Sequence, residues 1–318
     1  MKRKASVRIP LGSLTENVLD FLVRRFTYHD RSAWQARLSG GRVRVNDRVA
    51  READLLGAGD VVEYAMDDLP EPPVQTGFGV VFEDDDLLVV DKPGNLPCHP
   101  GGAYFNNTLW ALLKSRHGLA APLLVNRLDR ETSGLTVIAK TAEAARLCRD
   151  EFAGRSVEKR YWVLVEGLFP EAREARGAMR PDAAGPVRKR RLFVEGVSPL
   201  EAGAEWAETL FRRRGSGGGL SWVEAVPSTG RLHQIRATLC AGGFPVVGDK
   251  LYGRDPELFL RFFQGVLTEA DHAVLRLPRQ ALHAAGLRMR HPRTREWLEW
   301  EAPLPADMRE LIEKSQMT

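Results

Sequence analysis

Asp129 stands between two arginines in the run Asn126-Arg127-Leu128-Asp129-Arg130-Glu131-Thr132-Ser133-Gly134-Leu135. A carboxylate flanked by guanidiniums has its ionised form favoured and its pKa held down. Such an acid suits a nucleophilic or electrostatic role better than proton donation. The arginines suit a phosphate-rich partner. The same residues also fit a strand-end turn with surface ion pairs of little energetic consequence, so distant segments have to decide between the two readings.

Three such segments carry chemistry-bearing residues. In the strand-like run 157–167, alternation puts Arg160, Trp162 and Leu164 on one face and Lys159, Tyr161 and Val163 on the other. Tyr161 has the flat face needed to lie beneath a nucleobase, and it equally suits a core position. In Pro227-Ser228-Thr229-Gly230-Arg231-Leu232-His233-Gln234-Ile235-Arg236, Ser228 or Thr229 is expected to cap a helix holding Arg231, His233, Gln234 and Arg236 in its first turns. Free N–H groups and polar side chains at that end suit phosphate or a carboxylate such as Asp129. Phe244-Pro245-Val246-Val247-Gly248-Asp249-Lys250-Leu251-Tyr252-Gly253 is turn-rich and reads as structural. His283 is expected to be a packed, hydrogen-bonded strand residue.

Around these residues the pattern predicts an N-terminal helix over 14–26, a second helix capped near Asp30 and stopped by Gly40-Gly41, and a hairpin over 42–49 turning at Asn46-Asp47. That hairpin should have one buried face and one cationic face. Residues 67–79, rich in proline, glycine and acid, read as a linker. The reading is therefore a small α+β unit over 1–66 and a larger unit over 80–318. In the larger unit, strands are expected at 80–82, 87–90, 160–166, 191–195, 207–211, 220–226 and 282–289, with strand, loop and strand over 123–140. Helices are expected over 108–117 and 141–152, and a flexible hairpin tip over 212–219. Helices interspersed without βαβ regularity indicate α+β with a largely antiparallel sheet.

Charge is distributed unevenly. The chain of 318 residues has a net charge of +4, residues 1–66 carry 12 basic against 8 acidic residues, and residues 67–86 carry seven acids and no base. Two basic bodies with an acidic connector between them suit one polyanion. Cys98, Cys148 and Cys240 are too few and too scattered for a disulfide framework or a cysteine zinc site, which suits a reducing cytoplasm. No apolar run reaches the length of a membrane span. No strong apolar stripe is evident, so a monomer is expected. Neither a glycine-rich dinucleotide loop nor a metal-ligand cluster is recognisable, so no metal is expected.

Asp91-Lys92-Pro93, His99-Pro100, Arg127-Leu128-Asp129-Arg130-x-Thr132-Ser133-Gly134-Leu135, Lys159-x-Tyr161, Gly230-Arg231-x-His233-Gln234-Ile235-Arg236, Gly248-Asp249-x-x-Tyr252-Gly253 and Leu282-His283-Ala284 resemble, in order and spacing, the pseudouridine synthases of the RluA type. The resemblance spans about residues 80–310, and residues 10–65 resemble the S-four-like RNA-binding module common in that family. It implies a pseudouridine synthase catalytic domain that isomerises uridine within RNA, without a cofactor, in ribosomal RNA first and transfer RNA second. It also implies Asp129 as the catalytic aspartate, Arg236 as its ion-pair partner, Tyr161 as the residue stacking on the target base and Arg127 as the residue entering the helix behind the flipped base. His233 and Gln234 join them as substrate-binding residues. A catalytically silent RNA-binding or assembly factor on the same fold is the alternative. The chain departs from the family pattern at Asn126 (usually His), at Thr136 (often Leu) and in the shifted glycine of Gly94-Asn95-Leu96.

Overall fold

The computed structural model describes residues 4–11, 15–26, 29–65, 71–185, 187, 189–198, 203–255 and 257–317. Two compact units emerge, one of residues 1–73 with 100–107, the other of residues 74–99 with 108–318.

The smaller unit runs β1 (Lys4–Arg8), β2 (Glu16–Asn17), α1 (Val18–Arg25), α2 (Arg31–Ser39), β3 (Val43–Val45), β4 (Arg48–Val49), β5 (Leu55–Leu56) and β6 (Val61–Ala65). Its main sheet has the order β1-β6-β3-β4. The first helix is shorter than the periodicity predicts. Asn17 accepts the Asp20 N–H and so fixes the start at Val18, while Glu16–Asn17 pairs as a strand with Leu55–Leu56. Leu14, the expected first residue, lies outside the described residues, as do residues 67–70 of the expected linker. Asp30 caps α2 through the Ala33 N–H. Asn46 and Asp47 both take positive φ, as a tight two-residue hairpin requires. The buried face is only half built: Val43 is fully buried but Val49 is exposed, because β4 is a two-residue edge strand. Trp34, Tyr64, Phe21 and Leu22 close the core. Glu71 accepts backbone N–H groups from Phe105, Asn106 and Asn107.

The larger unit continues with β7 (Gly79–Glu83), β8 (Leu87–Lys92), α3 (Leu109–Arg116), β9 (Leu123–Leu124), β10 (Ser133–Ala139), α4 (Ala142–Ala153), β11 (Glu158–Glu166), β12 (Ala172–Pro181), β13 (Arg191–Glu195), β14 (Glu205–Gly217), β15 (Leu220–Pro227), α5 (Gln234–Ala241), α6 (Leu258–Gln264), α7 (Glu269–Leu275), β16 (Leu282–Arg290), β17 (Trp297–Glu301) and α8 (Ala306–Lys314). One sheet of 11 strands has the order β13-β12-β14-β15-β11-β16-β10-β8-β7, with β17 on β16 and β9 on β10. Its pairings are antiparallel except β10 with β16, so the sheet is mixed and the α+β class holds.

Both faces of the sheet are covered, which is why β8 reads as an unbroken apolar run. Leu88, Val90 and Ile138 pack with Leu109, Leu112 and Leu113 of α3, while Leu87, Val89, Leu135 and Val137 pack with Cys148 of α4. Truncating any of these leucines to alanine typically costs about 2–5 kcal/mol. The glycine run near 215 is not the flexible tip expected from its composition. β14 extends through Gly217, and the turn is only Gly218-Gly219. A Cβ on Gly217 would sit 2.2 Å from the Ser315 carbonyl oxygen, so the glycine lets the end of α8 pack against the strand. No helix among the described residues is long and apolar enough to cross a membrane.

Candidate active site

The one parallel junction of the sheet among the described residues positions Asp129. Loop 125–132 enters β10 where Ser133 pairs with His283 and Gly134 with Ala284. Gly134 has φ +111°, and a Cβ there would lie 2.3 Å from the Ala284 oxygen, so only glycine lets the strands approach. His283 is fully buried and bonds Ser133 Oγ through Nδ1 at 3.0 Å, the packed role its sequence context suggested.

The loop is fixed from several sides. Lys92, with no exposed surface, donates to the carbonyls of Pro93, Leu96 and Arg130. Burial pulls its ammonium down to about 8. Glu131 takes Lys250 Nζ at 2.9 and 3.0 Å, tying the loop to the segment after α5. Gln280 donates to Thr132 Oγ1, and its side chain favours the ionised form of Asp129.

Asp129 itself keeps 27% of its side chain exposed, whereas its partner Arg236 keeps 8%. Arg236 Nη1 donates to Asp129 Oδ2 at 2.7 Å. The same guanidinium is held by Asp249 in a bidentate fork, Nε to Oδ2 at 2.6 Å and Nη2 to Oδ1 at 2.9 Å. Asp249 in turn accepts the Leu251 and Tyr252 N–H groups. Burial favours the neutral acid at Asp129, but Arg236 outweighs it and the carboxyl stays below its ordinary range. Burial also opposes ionisation of Asp249, and Arg236 again overrides it. His233 Nε2 lies 3.7 Å from Asp129 Oδ1, and its Nδ1 lies 3.0 Å from the Tyr252 hydroxyl.

Tyr161 is aimed by a β-bulge. The register between β11 and β16 shifts between Arg160 and Tyr161, with Ala285 as the extra residue. The ring is half-buried and packs beside Cys98, Leu128 and Ala284. Burial and the Asp129 charge push its phenol up to about 12, so it is neutral. The site thus offers an ionised acid, an oriented guanidinium and a flat aromatic face.

Residues 86–241 match the family model described as RNA pseudouridylate synthase. Over 320 residues the chain is 31% identical to ribosomal large subunit pseudouridine synthase D of Pasteurella multocida, a match covering 97% of this chain and 94% of that one. The chain belongs to the RluA-type pseudouridine synthases. It is also 32% identical to the mitochondrial tRNA pseudouridine(32) synthase of Saccharomyces cerevisiae, over 76% of this chain and about half, 51%, of that protein. Among solved structures, human RNA Pseudouridylate Synthase Domain Containing 4 superposes with a TM-score of 0.58 at 24% identity, covering 76% of this chain and 94% of that one, which speaks for the fold alone.

Within this family framework the residues singled out by sequence separate. Asp129, Arg236, His233 and Tyr161 come together. Arg127 is exposed and makes no hydrogen bond or ion pair among the described residues. Arg130 pairs with Glu131 and lies over the Phe262 ring rather than against Asp129. Gln234 is not available to a substrate. Its Oε1 accepts from Thr229 Oγ1 and the Arg231 N–H, and its Nε2 donates to the Glu208 carbonyl and Thr209 Oγ1. The expected helix cap also differs: α5 starts at Gln234, His233 is its N-cap with φ +59° and no side-chain cap, and Arg231 lies before the helix.

The family departures have local reasons. Asn126 accepts the Val137 N–H at 2.7 Å and donates to the Leu135 carbonyl at 3.2 Å, so it replaces a strand partner along β10. Gly94 faces Arg279, whose Cδ would lie 2.4 Å from a Cβ, while Asn95 takes the positive φ that follows. Sequence reading missed Asp249 and Gln280. Asp249 belongs to a motif that looked like a turn, and nothing in its spacing tells that its carboxylate faces Arg236. The acids Asp84 and Asp86 also converge on His291. There Nδ1 accepts the Arg293 and Thr294 N–H groups, so Nε2 carries the proton that Asp84 takes.

Proposed function

We propose that this protein isomerises uridine to pseudouridine within structured RNA, ribosomal RNA first and transfer RNA second. The observation that carries the reading is Asp129, kept ionised by Arg236 while more than a quarter of its side chain stays open. The reaction breaks the bond between the sugar C1′ and N1 of the base, turns the base, joins C1′ to C5, and moves the C5 proton off the ring while N1 gains one. Nothing is gained or lost overall. Asp129 acts on the nucleotide, either by attack or by removing a sugar proton. Arg236 holds its charge, and Tyr161 stacks on the target base. Arg127, exposed and unpaired, fills the helix behind the flipped nucleotide, since a stacked base cannot turn about its own bond.

Residues 1–66 act as the S-four-like RNA-binding module and residues 80–318 as the catalytic domain, with the exposed arginines of the β3–β4 hairpin contacting phosphates. The protein works as a monomer in the cytoplasm. Ribosomal RNA is supported by the name of the Pasteurella relative and transfer RNA by that of the yeast relative.

The test is tritium release from RNA labelled at uridine C5. Asp129→Asn should abolish release, a loss of at least about 1,000-fold, while RNA affinity stays within a few-fold. Near-normal turnover in that variant would remove Asp129 from the chemistry. Tight RNA binding with no release by the unaltered protein would leave a binding factor instead.

A further inference from the structure

Tyr252 is the hub behind the Asp129 cluster, and it lies 1% exposed. Its backbone N–H donates to Asp249 Oδ1 at 2.9 Å. The guanidiniums of Arg236 and Arg190 lie over its ring, 5.0 and 5.4 Å from the centroid. Its hydroxyl oxygen accepts the Arg191 N–H at 2.8 Å and lies 3.0 Å from His233 Nδ1. His233 is held in left-handed backbone conformation, φ +59°, which is uncommon for a side chain of this size and marks a constrained position.

These contacts determine where the protons lie. The Tyr252 oxygen already accepts one N–H. If His233 Nδ1 also carried a proton, that oxygen would accept twice and the buried phenol proton would have no partner, which is costly. The arrangement that satisfies every group has Tyr252 O–H donating to Nδ1. The imidazole proton is then on Nε2, which faces Asp129 Oδ1 at 3.7 Å.

We propose that Tyr252 is a positioning residue that fixes His233 in its Nε2–H tautomer, so that a neutral imidazole presents an N–H to Asp129. This rests on the reading of Asp129 as the catalytic acid. The charged groups facing the ring are Arg236 and Arg191, with Asp129 and Asp249 opposing them. Burial and Arg236 hold the imidazole down to about 4, in keeping with a neutral ring. The distinction matters for the acid. Asp249, Arg236 and Asp129 together carry one net negative charge, and an imidazolium would cancel it beside the reacting carboxylate. A neutral N–H faces Asp129 without removing its charge.

The tautomer can be read directly on the full-length protein, labelled with 15N-histidine, from the proton–nitrogen correlations of the rings. His233→Gln identifies the His233 signals among the seven histidines. The expected result at neutral pH is Nε2–H in the unaltered protein, lost or mixed in Tyr252→Phe. An Nδ1–H tautomer in the unaltered protein overturns the proposal. This measurement needs no turnover, so it stands or falls separately from the role of Asp129.

In the tritium assay Tyr252→Phe should lower kcat by about 10- to 100-fold with KM little changed. An unchanged kcat would sink the idea. Should Tyr252→Phe fail to fold, two variants of the ring decide. The glutamine amide nitrogen falls near Nε2 and the asparagine amide nitrogen near Nδ1. His233→Gln should therefore keep at least about tenfold more activity than His233→Asn, and equal or reversed activities overturn the proposal.

Discussion

An aspartate–arginine pair occurs in each unit, and the two pairs behave as different objects. In the smaller unit Asp20 meets Arg31 with 46% and 56% of the side chains exposed. In the larger unit Asp249 meets Arg236 with 0% and 8% exposed, and Asp249 also accepts two backbone N–H groups. The first pair can exchange its partners for water, salt or phosphate at little cost. The second cannot lose one member without leaving a charge stranded in a dry setting. Identical residue types therefore form an exposed, exchangeable pair in one unit and a fixed scaffold around one acid in the other.

The same substitution in both places is the strongest way to break that contrast. Asp249→Asn should lower the stability of the larger unit by about 3–5 kcal/mol in thermal unfolding. It should also cut turnover by about 100-fold, because Arg236 loses the fork that aims it at Asp129. Asp20→Asn should leave Tm and turnover unchanged. The gap should also depend on pH with a defined sign. Arg236 depresses the Asp249 pKa in the folded protein, so its contribution is present above the unfolded value, about 3.9. It is lost as pH falls through the still lower folded value, and the two proteins should converge in strong acid. Equal losses in both variants would show that burial is not what separates the pairs.

A smaller effect tests the adaptable side of the comparison. Arg44, Arg48 and Arg51 are exposed around the β3–β4 hairpin, and none makes an ion pair with a carboxylate among the described residues. Changing all three to glutamine should raise KM for structured RNA and reduce the salt dependence of binding by about 2–3 units of log–log slope. Tm should hold, since Val43, Trp34 and Tyr64 remain packed. An unchanged slope would mean that this hairpin does not touch phosphate.

Much of this organisation was legible in the sequence, for identifiable reasons. Asp30, Thr108 and Thr141 are short polar residues ahead of apolar periodicity, and each caps the helix expected after it. The alternation around Tyr161 gave its strand, but the bulge that aims the ring depends on a partner strand more than 100 residues away. β12 escaped because Ala-Arg-Glu-Ala-Arg-Gly-Ala-Met-Arg-Pro has the composition of a helix. It is a strand because β13 and β14 pair with it on both sides, and Gly177 fits where a Cβ would lie 2.1 Å from the Val194 oxygen. The family resemblance implied that Arg236 pairs with Asp129. It could not show that Gln234 turns inward or that Asp249 holds the arginine, since both depend on tertiary contacts.

Two threonines in one segment extend the contrast between satisfied and unsatisfied polar groups to its smallest scale. The Thr132 hydroxyl accepts from Gln280, beside Asp129. Four residues on, Thr136 is fully buried in β10 and its hydroxyl has no hydrogen-bond partner among the described residues. The family often has leucine at that position, which carries no polar group to satisfy. Thr136→Val removes the orphan oxygen at nearly constant shape and should stabilise the larger unit by about 1 kcal/mol, raising Tm by about 2 °C. Turnover should not change, because the backbone pairing of Thr136 with Val90 does not involve its side chain. Thr132→Val should do the opposite, lowering Tm and slowing turnover by about tenfold, since Gln280 would lose the acceptor that steadies it beside Asp129. If both valines lower Tm alike, the Thr136 hydroxyl contributes a bond in solution, and the loop owes its order to packing more than to the polar contacts that surround the acid.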